Sequence, residues 1–468
     1  MKGKSVKKSL STVLGLALLS IAAGAAQAKV SAAEAAKLGT TLTCTGAEKA
    51  GNADGSIPAF DGKWLGAPPG VSYKAHVGEH IADPYASEKP KFIITAANMA
   101  QYETHLTDGQ IKMFKKYPTT FKIPVYPTHR DFRLEDSICE ATKKAATSTE
   151  LSANGQDASG GIYGSVPFPI PKTGLEVLYN AMTARRSYTD TVDRDTAVVS
   201  PNGNKFWSQS KFTSWAPAND PANFGKPVDK TAHEGMAAFV LAQMLKPAQS
   251  KGLKILVKEP MSYNSKRLTW LYEPGTRRVR QAPEFGFDQP LEGTFGAMTI
   301  DEDGLFNGSP ERYNWKLLGK REIFVPANAY KVNAANVKYD ALLTPNHENP
   351  DFMRYELRRV WVIEATLKPG FRHVYAKRVI YVDEDFWNMV MSDYYDGRGD
   401  VYKHSFINWY YAYDLKSPEI GASFYHDLTS GRYVAYQLFQ QMPIGPVLNK
   451  GGLSEKNFTT AELGASGS

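Results

Sequence analysis

Residues 267–282 read RLTWLYEPGTRRVRQA, from Arg267 to Ala282. Two extended runs flank Glu273-Pro274-Gly275. Pro pre-sets φ at the second position of a tight turn, and Gly accepts the positive φ at the third. Before the turn, Leu268, Trp270 and Tyr272 alternate with Arg267, Thr269 and Leu271. After it, Thr276-Arg277-Arg278-Val279-Arg280 is strongly basic. The pattern predicts an antiparallel hairpin with one apolar face and a cationic exit strand.

Outward from this hairpin the hydrophobic period is two. LKILVKE precedes it; WKLLGKREIFV, Tyr355 to Leu367, HVYAKRVIYVD, NMVMSDYYD, HSFINWYYAYD, ASFYHDL and RYVAYQLFQ follow. In the Tyr355–Leu367 run, Tyr355, Leu357, Trp361, Ile363, Ala365 and Leu367 share a face broken only by Arg359. Eight or more antiparallel strands with a few N-terminal helices describe an α+β protein built on one large curved sheet, an incomplete β-barrel.

Helical signals lie upstream. SAAEAAKLG is a short Ala-rich piece, and Thr95 to Tyr117 divides into two helices at the capping box Thr107-x-x-Gln110. Thr173-x-x-Glu176 opens an amphipathic helix through Leu175, Leu178, Tyr179 and Met182. Thr231-x-x-Glu234 opens onto Met236 to Leu245, a run apolar nearly all round and stopped by Pro247, which reads as a lid helix. The organisation expected is a signal peptide at 1–28, an extended arm with short helices at 29–180, the curved sheet with its lid helix at 181–445, and an irregular tail at 446–468.

Lys2, Lys4, Lys7 and Lys8 before an apolar run ending in Ala26-Gln27-Ala28 have the form of a secretory signal cleaved before Lys29. Without those lysines the chain carries 51 basic and 48 acidic residues, a formal charge of +3, too balanced for a nucleic-acid partner. Export to a periplasm is the simplest destination. An oxidising compartment suits a disulfide between Cys44 and Cys139, with two unpaired thiols as the alternative.

Enzyme signatures are missing: there is no GxSxG, HExxH, Walker loop or GxGxxG, and the nine His show no metal-ligand spacing. Asp301-Glu302-Asp303-Gly304 fails the twelve-residue calcium pattern. No metal or cofactor is expected. Glu356 and Glu364 invite a carboxylate-pair reading, that of glycoside hydrolysis; their even spacing along one strand is better explained as solvated surface. A hydrolase or lyase on envelope lipid or polysaccharide is the alternative function, with no carboxylates singled out for it. What remains is 25 Tyr, 22 Phe and 8 Trp, many at alternating strand positions. A curled sheet can shelter acyl chains on such a wall, or its aromatics can simply fill the core. Leu268, Trp270, Tyr272, Tyr355, Leu357, Trp361, Ile363, Phe239 and Val240 are the candidate cargo residues. Arg277, Arg278 and Arg280 suit an anionic headgroup or a partner, with cross-strand pairing to acids as the alternative.

DPYASEKPKFIITAANMAQY, KKYPTTFKIPVYPTHR, GSVPFPIPKTGLEVLYN, WLYEPGTRRVRQAPEFGFDQP, LFNGSPERYNWKLLGKREIFVP and RYELRRVWVIEATLKPGFRHVYAKRVIYVDED together resemble the Gram-negative periplasmic family catalogued as domain of unknown function 1329. The resemblance runs from about Ala32 to Gln441. The family is similar to the outer-membrane lipoprotein-sorting proteins (LolA/LolB-like), a similarity carried mainly by WLYEPGTRRVRQAP. It implies an incomplete barrel wrapped over helices, with an apolar cavity, and a carrier or receptor for a lipid or other hydrophobic molecule. It also implies an RND-type exporter and an outer-membrane protein as partners.

Overall fold

A computed structural model describes residues 30–282 and 287–465. The expected signal peptide lies outside them. The strands, in chain order, are β1 (Phe92–Ile94), β2 (Ile123–Val125), β3 (Glu150–Leu151), β4 (Ala158–Ser159), β5 (Thr189–Val199), β6 (Lys205–Trp215), β7 (Met236–Lys246), β8 (Lys254–Pro260), β9 (Leu268–Glu273) and β10 (Arg278–Gln281). They continue with β11 (Tyr313–Pro326), β12 (Tyr355–Leu367), β13 (Lys377–Asp383), β14 (Met389–Tyr395), β15 (Val401–Ile407), β16 (Tyr410–Ala412), β17 (Ser417–Glu419), β18 (Ser423–Asp427), β19 (Tyr433–Leu438) and β20 (Val447–Leu448). The helices are α1 (Ala32–Ala35), α2 (Asp108–Lys116), α3 (Asp136–Ser148), α4 (Gly174–Met182), α5 (Tyr330–Asn333), α6 (Tyr339–Leu342) and α7 (Thr460–Ala465).

Sixteen strands form one sheet in the order β1-β2-β12-β13-β14-β15-β18-β19-β5-β6-β7-β8-β9-β10, with β11 on β12 and β20 on β5. Pairing is antiparallel except where β2 meets β12 at Val125 and Tyr355. The order has two ends, β1 and β10, so the sheet is not closed into a barrel. A sheet this wide cannot lie flat, because each strand pair adds right-handed twist. It curls around α4. The N-terminus of α4 abuts β11, where a Cβ on Gly174 would come within 2.9 Å of the Lys316 carbonyl carbon. At its other end Met182 Sδ accepts from Tyr263 Oη at 3.0 Å, in the β8–β9 connection. One nine-residue helix thus touches distant strands of the same sheet.

The capping boxes at Thr107/Gln110 and Thr173/Glu176 form as their spacing predicts. Three expectations fail. Met236–Lys246 is a strand, β7, not a lid helix; its apolar residues serve both faces of a sheet rather than all sides of a cylinder. Thr231 donates no cap, and His233 and Glu234 take left-handed φ of 53° and 57° before the strand begins. In the β9–β10 hairpin Glu273 pairs with Arg278, and the positive φ of 54° falls on Arg277 rather than Gly275, because the loop holds four residues.

The flanking segments are more integrated than expected. The N-terminal arm contributes β1 and β2 to the sheet, and α2 lies on β15, with Gly109 N donating to Asp393 Oδ2 of the neighbouring β14 at 3.0 Å. A Cβ at Gly109 would sit 2.1 Å from Asp393, so the close approach requires glycine. Cys44 and Cys139 are bonded, with Cα atoms 5.0 Å apart, tying the arm to α3. In the tail β20 pairs with β5 where an irregular segment is expected, while the helical turn that TTAELGA suggests forms as α7 and lies on β8, β9 and β10.

Inside the curl, residues 300–307 cross the sheet and are pinned by a buried ion pair. Arg378 Nη2 donates to Asp301 Oδ2 at 2.5 Å, both side chains at most 1% exposed. The rings of Phe306, Tyr313, Tyr375 and Tyr394 surround the guanidinium with centroids 5.1–5.3 Å away. Burial alone would raise the Asp301 carboxyl, but Arg378 and His373 outweigh it and hold it at about 2. The acids that resembled a calcium loop are thereby engaged, Asp301 by Arg378 and Glu302 by Lys403 at 2.9 Å.

Removing one partner of such a pair leaves a bare buried charge. Asp301→Asn is expected to cost about 3–5 kcal/mol in chemical denaturation, and an apolar double replacement, Asp301→Leu with Arg378→Met, to recover much of it.

Candidate functional site

The two halves of the sheet are filled differently. In β13 and β14 every residue but Lys377 is buried. In β6, β7 and β8 most residues, apolar ones included, keep part of their surface open. Register places Phe212 beside Ala242 and Ile255, and Val240 beside Val257 and Thr269, on one face. This is the inner face, because Arg194 on β5 stacks on Phe212 at 4.3 Å and feels Asp303 of the crossing segment. Arg267, on the same face, donates to Asn307 Oδ1 at 2.5 Å and to Glu259 Oε1 at 2.7 Å.

Arg186, Asp190, Tyr263 and Asp303 define the space behind this wall. Protein surrounds each of them deeply, yet each retains accessible surface. The face carrying Phe212, Val240, Ala242, Ile255 and Val257 reads as the apolar wall of an internal chamber, with these charged groups at its far end. Burial pushes the Asp190 carboxyl up to about 7, against Arg194, and Glu419 up to about 7 as well.

The sequence-derived cargo residues fall in three places. Val240 lies on the chamber wall. Phe239, Leu268, Trp270 and Tyr272 lie on the opposite face of the same strands, packed with Phe458 and Leu463 of the C-terminal segment. Tyr355, Leu357 and Ile363 are in the main core, and Trp361 packs against it, stacked on Trp387 at 6.0 Å. Arg277 and Arg278 are exposed at the hairpin tip, while Arg280 pairs with Glu273 at 2.7 Å. The charged end of the chamber escaped sequence reading. Its available signal was Arg186, Asp190 and Arg194, charges at the start of a strand whose inner face also carries Val192 and Val198.

A second cleft of about 50 Å³ opens beside His129. His129 Nε2 lies 2.6 Å from Glu88 and Nδ1 3.3 Å from Asp131, with Tyr85 stacked on the ring at 4.1 Å. Glu356 is fully buried here, not surface as expected, accepting from Arg354 at 2.9 Å. Arg358 holds Asp383 and Asp385 at 3.0 and 2.8 Å, and Arg130 holds Asp385 at 2.7 Å. Glu364 stays part-exposed opposite Lys377, 3.6 Å away. Burial would lower the His129 pKa, but Asp131, Glu356 and Glu88 together raise it, favouring the charged ring.

The model of the family described as "Protein of unknown function (DUF1329)" matches residues 93–464. The uncharacterized protein PA3922 of Pseudomonas aeruginosa is 41% identical over 452 residues, 96% of each chain. Among solved structures, a DUF1329 family protein from Desulfovibrio piger aligns with TM-score 0.41 at 17% identity, over 62% of this chain and 97% of that one. A putative outer membrane lipoprotein-sorting protein domain from Vibrio parahaemolyticus aligns over the same shares with TM-score 0.41 at 15% identity.

A carboxyl whose folded pKa is raised favours folding below its unfolded value and loses that contribution as pH climbs towards 7. Asp190→Asn, next to Arg194 and Glu419, is therefore expected to match the wild-type Tm near pH 4 and to exceed it by several degrees at pH 8. Thermal melts across that range check the sign.

Proposed function

The chain belongs to the DUF1329 family, and on that premise we propose that it is a periplasmic carrier or receptor for a hydrophobic molecule, held in the internal chamber. One observation carries this reading: a single sheet has a solid core along β13 and β14 and a half-open apolar wall along β6 to β8. Unfilled apolar surface forfeits contacts that a chain of methylenes restores, at roughly 0.8 kcal/mol per buried CH₂. The signal-like leader supports delivery to the periplasm. Arg277 and Arg278, exposed on the hairpin, suit docking to an acidic patch on a partner, an RND-type exporter or an outer-membrane protein.

The hydrolase or lyase reading has one observation in its favour, His129 between Glu88 and Asp131 at a cleft. The chemistry there opposes it. Arg354, Arg358 and Arg130 hold the acids of the network, and neighbours that favour the charged imidazole work against His129 as a general base. The network ties Glu88 and residues 129–131 of the arm to β12 and the β13–β14 turn.

Native mass spectrometry and solvent extraction of the protein purified from its own envelope test the carrier reading. Wild type is expected to retain an apolar ligand. Val240→Asp and Val257→Asp, with unchanged circular dichroism, are expected to lose at least nine-tenths of it. A ligand-free wild type, or full retention in both variants, would contradict the proposal.

A further inference from the structure

At the charged end of the chamber, among the described residues, two arginines make no close ion pair, although Asp190, Asp303 and Glu419 act on them at longer range. Among the described residues the Arg186 guanidinium makes no ion pair or hydrogen bond; it lies over the Trp409 ring at 5.1 Å, and its Nε is buried and unpartnered. Arg194, 7% exposed, donates only to Tyr436 Oη, at 3.0 Å, and its Nε is likewise unpartnered. Both act on Asp303 through space, which places them around one volume. A buried guanidinium without an acceptor is costly, and such sites are normally completed by an anion.

The same volume continues into the apolar wall, since the Arg194 guanidinium rests on Phe212, and Phe212 pairs with Ala242. Resting on the carrier reading, we infer that the cargo is an amphiphile with an anionic head. Its carboxylate or phosphate sits on Arg186 and Arg194, deep in the curl, and its tail lies along Phe212, Val240, Ala242 and Val257. Arg fits this role because its fork donates two parallel hydrogen bonds to such a head.

The acids nearby do not cancel the attraction. Burial raises Asp190 and Glu419 to about 7, so each carries less negative charge near neutral pH than an exposed carboxylate, and it shifts Asp303 in the same direction. Burial also lowers Arg186, but a guanidinium stays charged throughout the working range.

The test compares dodecanoate with dodecanol, equal tails with and without a charge, for binding to the full chain by displacement of a fluorescent apolar probe. Wild type is expected to prefer dodecanoate at least tenfold. The double variant Arg186→Gln/Arg194→Gln is expected to bind both alike, and Arg194→Lys, which keeps the charge and guards against a folding failure, to retain a preference. Equal binding of the two probes by wild type, or an undiminished preference in a folded double variant, overturns the headgroup assignment while leaving the carrier reading intact. Failure of wild type to bind either probe overturns both.

Discussion

The buried pair of Asp301 and Arg378 decides how the inside of this molecule is used. A sheet of sixteen strands must curl, and a curl must be filled or left open. The ion pair fastens residues 300–307 against β13, where Phe306, Tyr313, Tyr375 and Tyr394 complete a packed layer. Beyond that half, Asp303 and Asn307 of the segment face Arg194 and Arg267. The chamber is what the crossing segment leaves behind. Its apolar wall and its charged end both follow from where that segment is anchored.

The outer face of the same strands is closed by a different device. Phe458 and Leu463 bury the face of Phe239 and Tyr272, so the apolar side chains of β7 to β9 that look outward are satisfied within the chain. The strands are thus hydrophobic on both sides, with a cover from the C-terminal segment outside and, in the proposed reading, room for cargo within. This also accounts for β7 itself. A run apolar at every position is ambiguous between a buried helix and a two-sided strand, and the deciding partners lie far away in sequence.

Much of the architecture was legible. The Tyr355–Leu367 strand, the β9–β10 hairpin and the capping boxes at Thr107 and Thr173 all follow from local chemistry, and local chemistry does not depend on the rest of the fold. The missing pieces were those set at long range. β5 and β6 read poorly as strands because Asp190, Arg194 and Ser210 occupy inner positions that a solid core would fill with Val or Ile; the signal was there, but as an anomaly. Glu356 read as surface because, beside its close sequence neighbours Arg354 and Arg358, the groups that enclose it, His129 and Asn328, come from elsewhere in the sequence. Alternation puts Leu268, Trp270 and Tyr272 on one face, whereas the helical reading of Met236 to Leu245 hides that Phe239 and Val240 lie on opposite faces of a strand, Phe239 towards the tail.

The most direct measurement is a crystal structure of the full chain grown with a fatty acid brominated at its tail. The account predicts anomalous bromine density against Val240 and Val257, with the carboxylate within hydrogen-bond reach of Arg186 or Arg194. Bromine bound elsewhere, for instance on the outer face in place of the C-terminal helix, or an inner space filled by side chains alone, would contradict it.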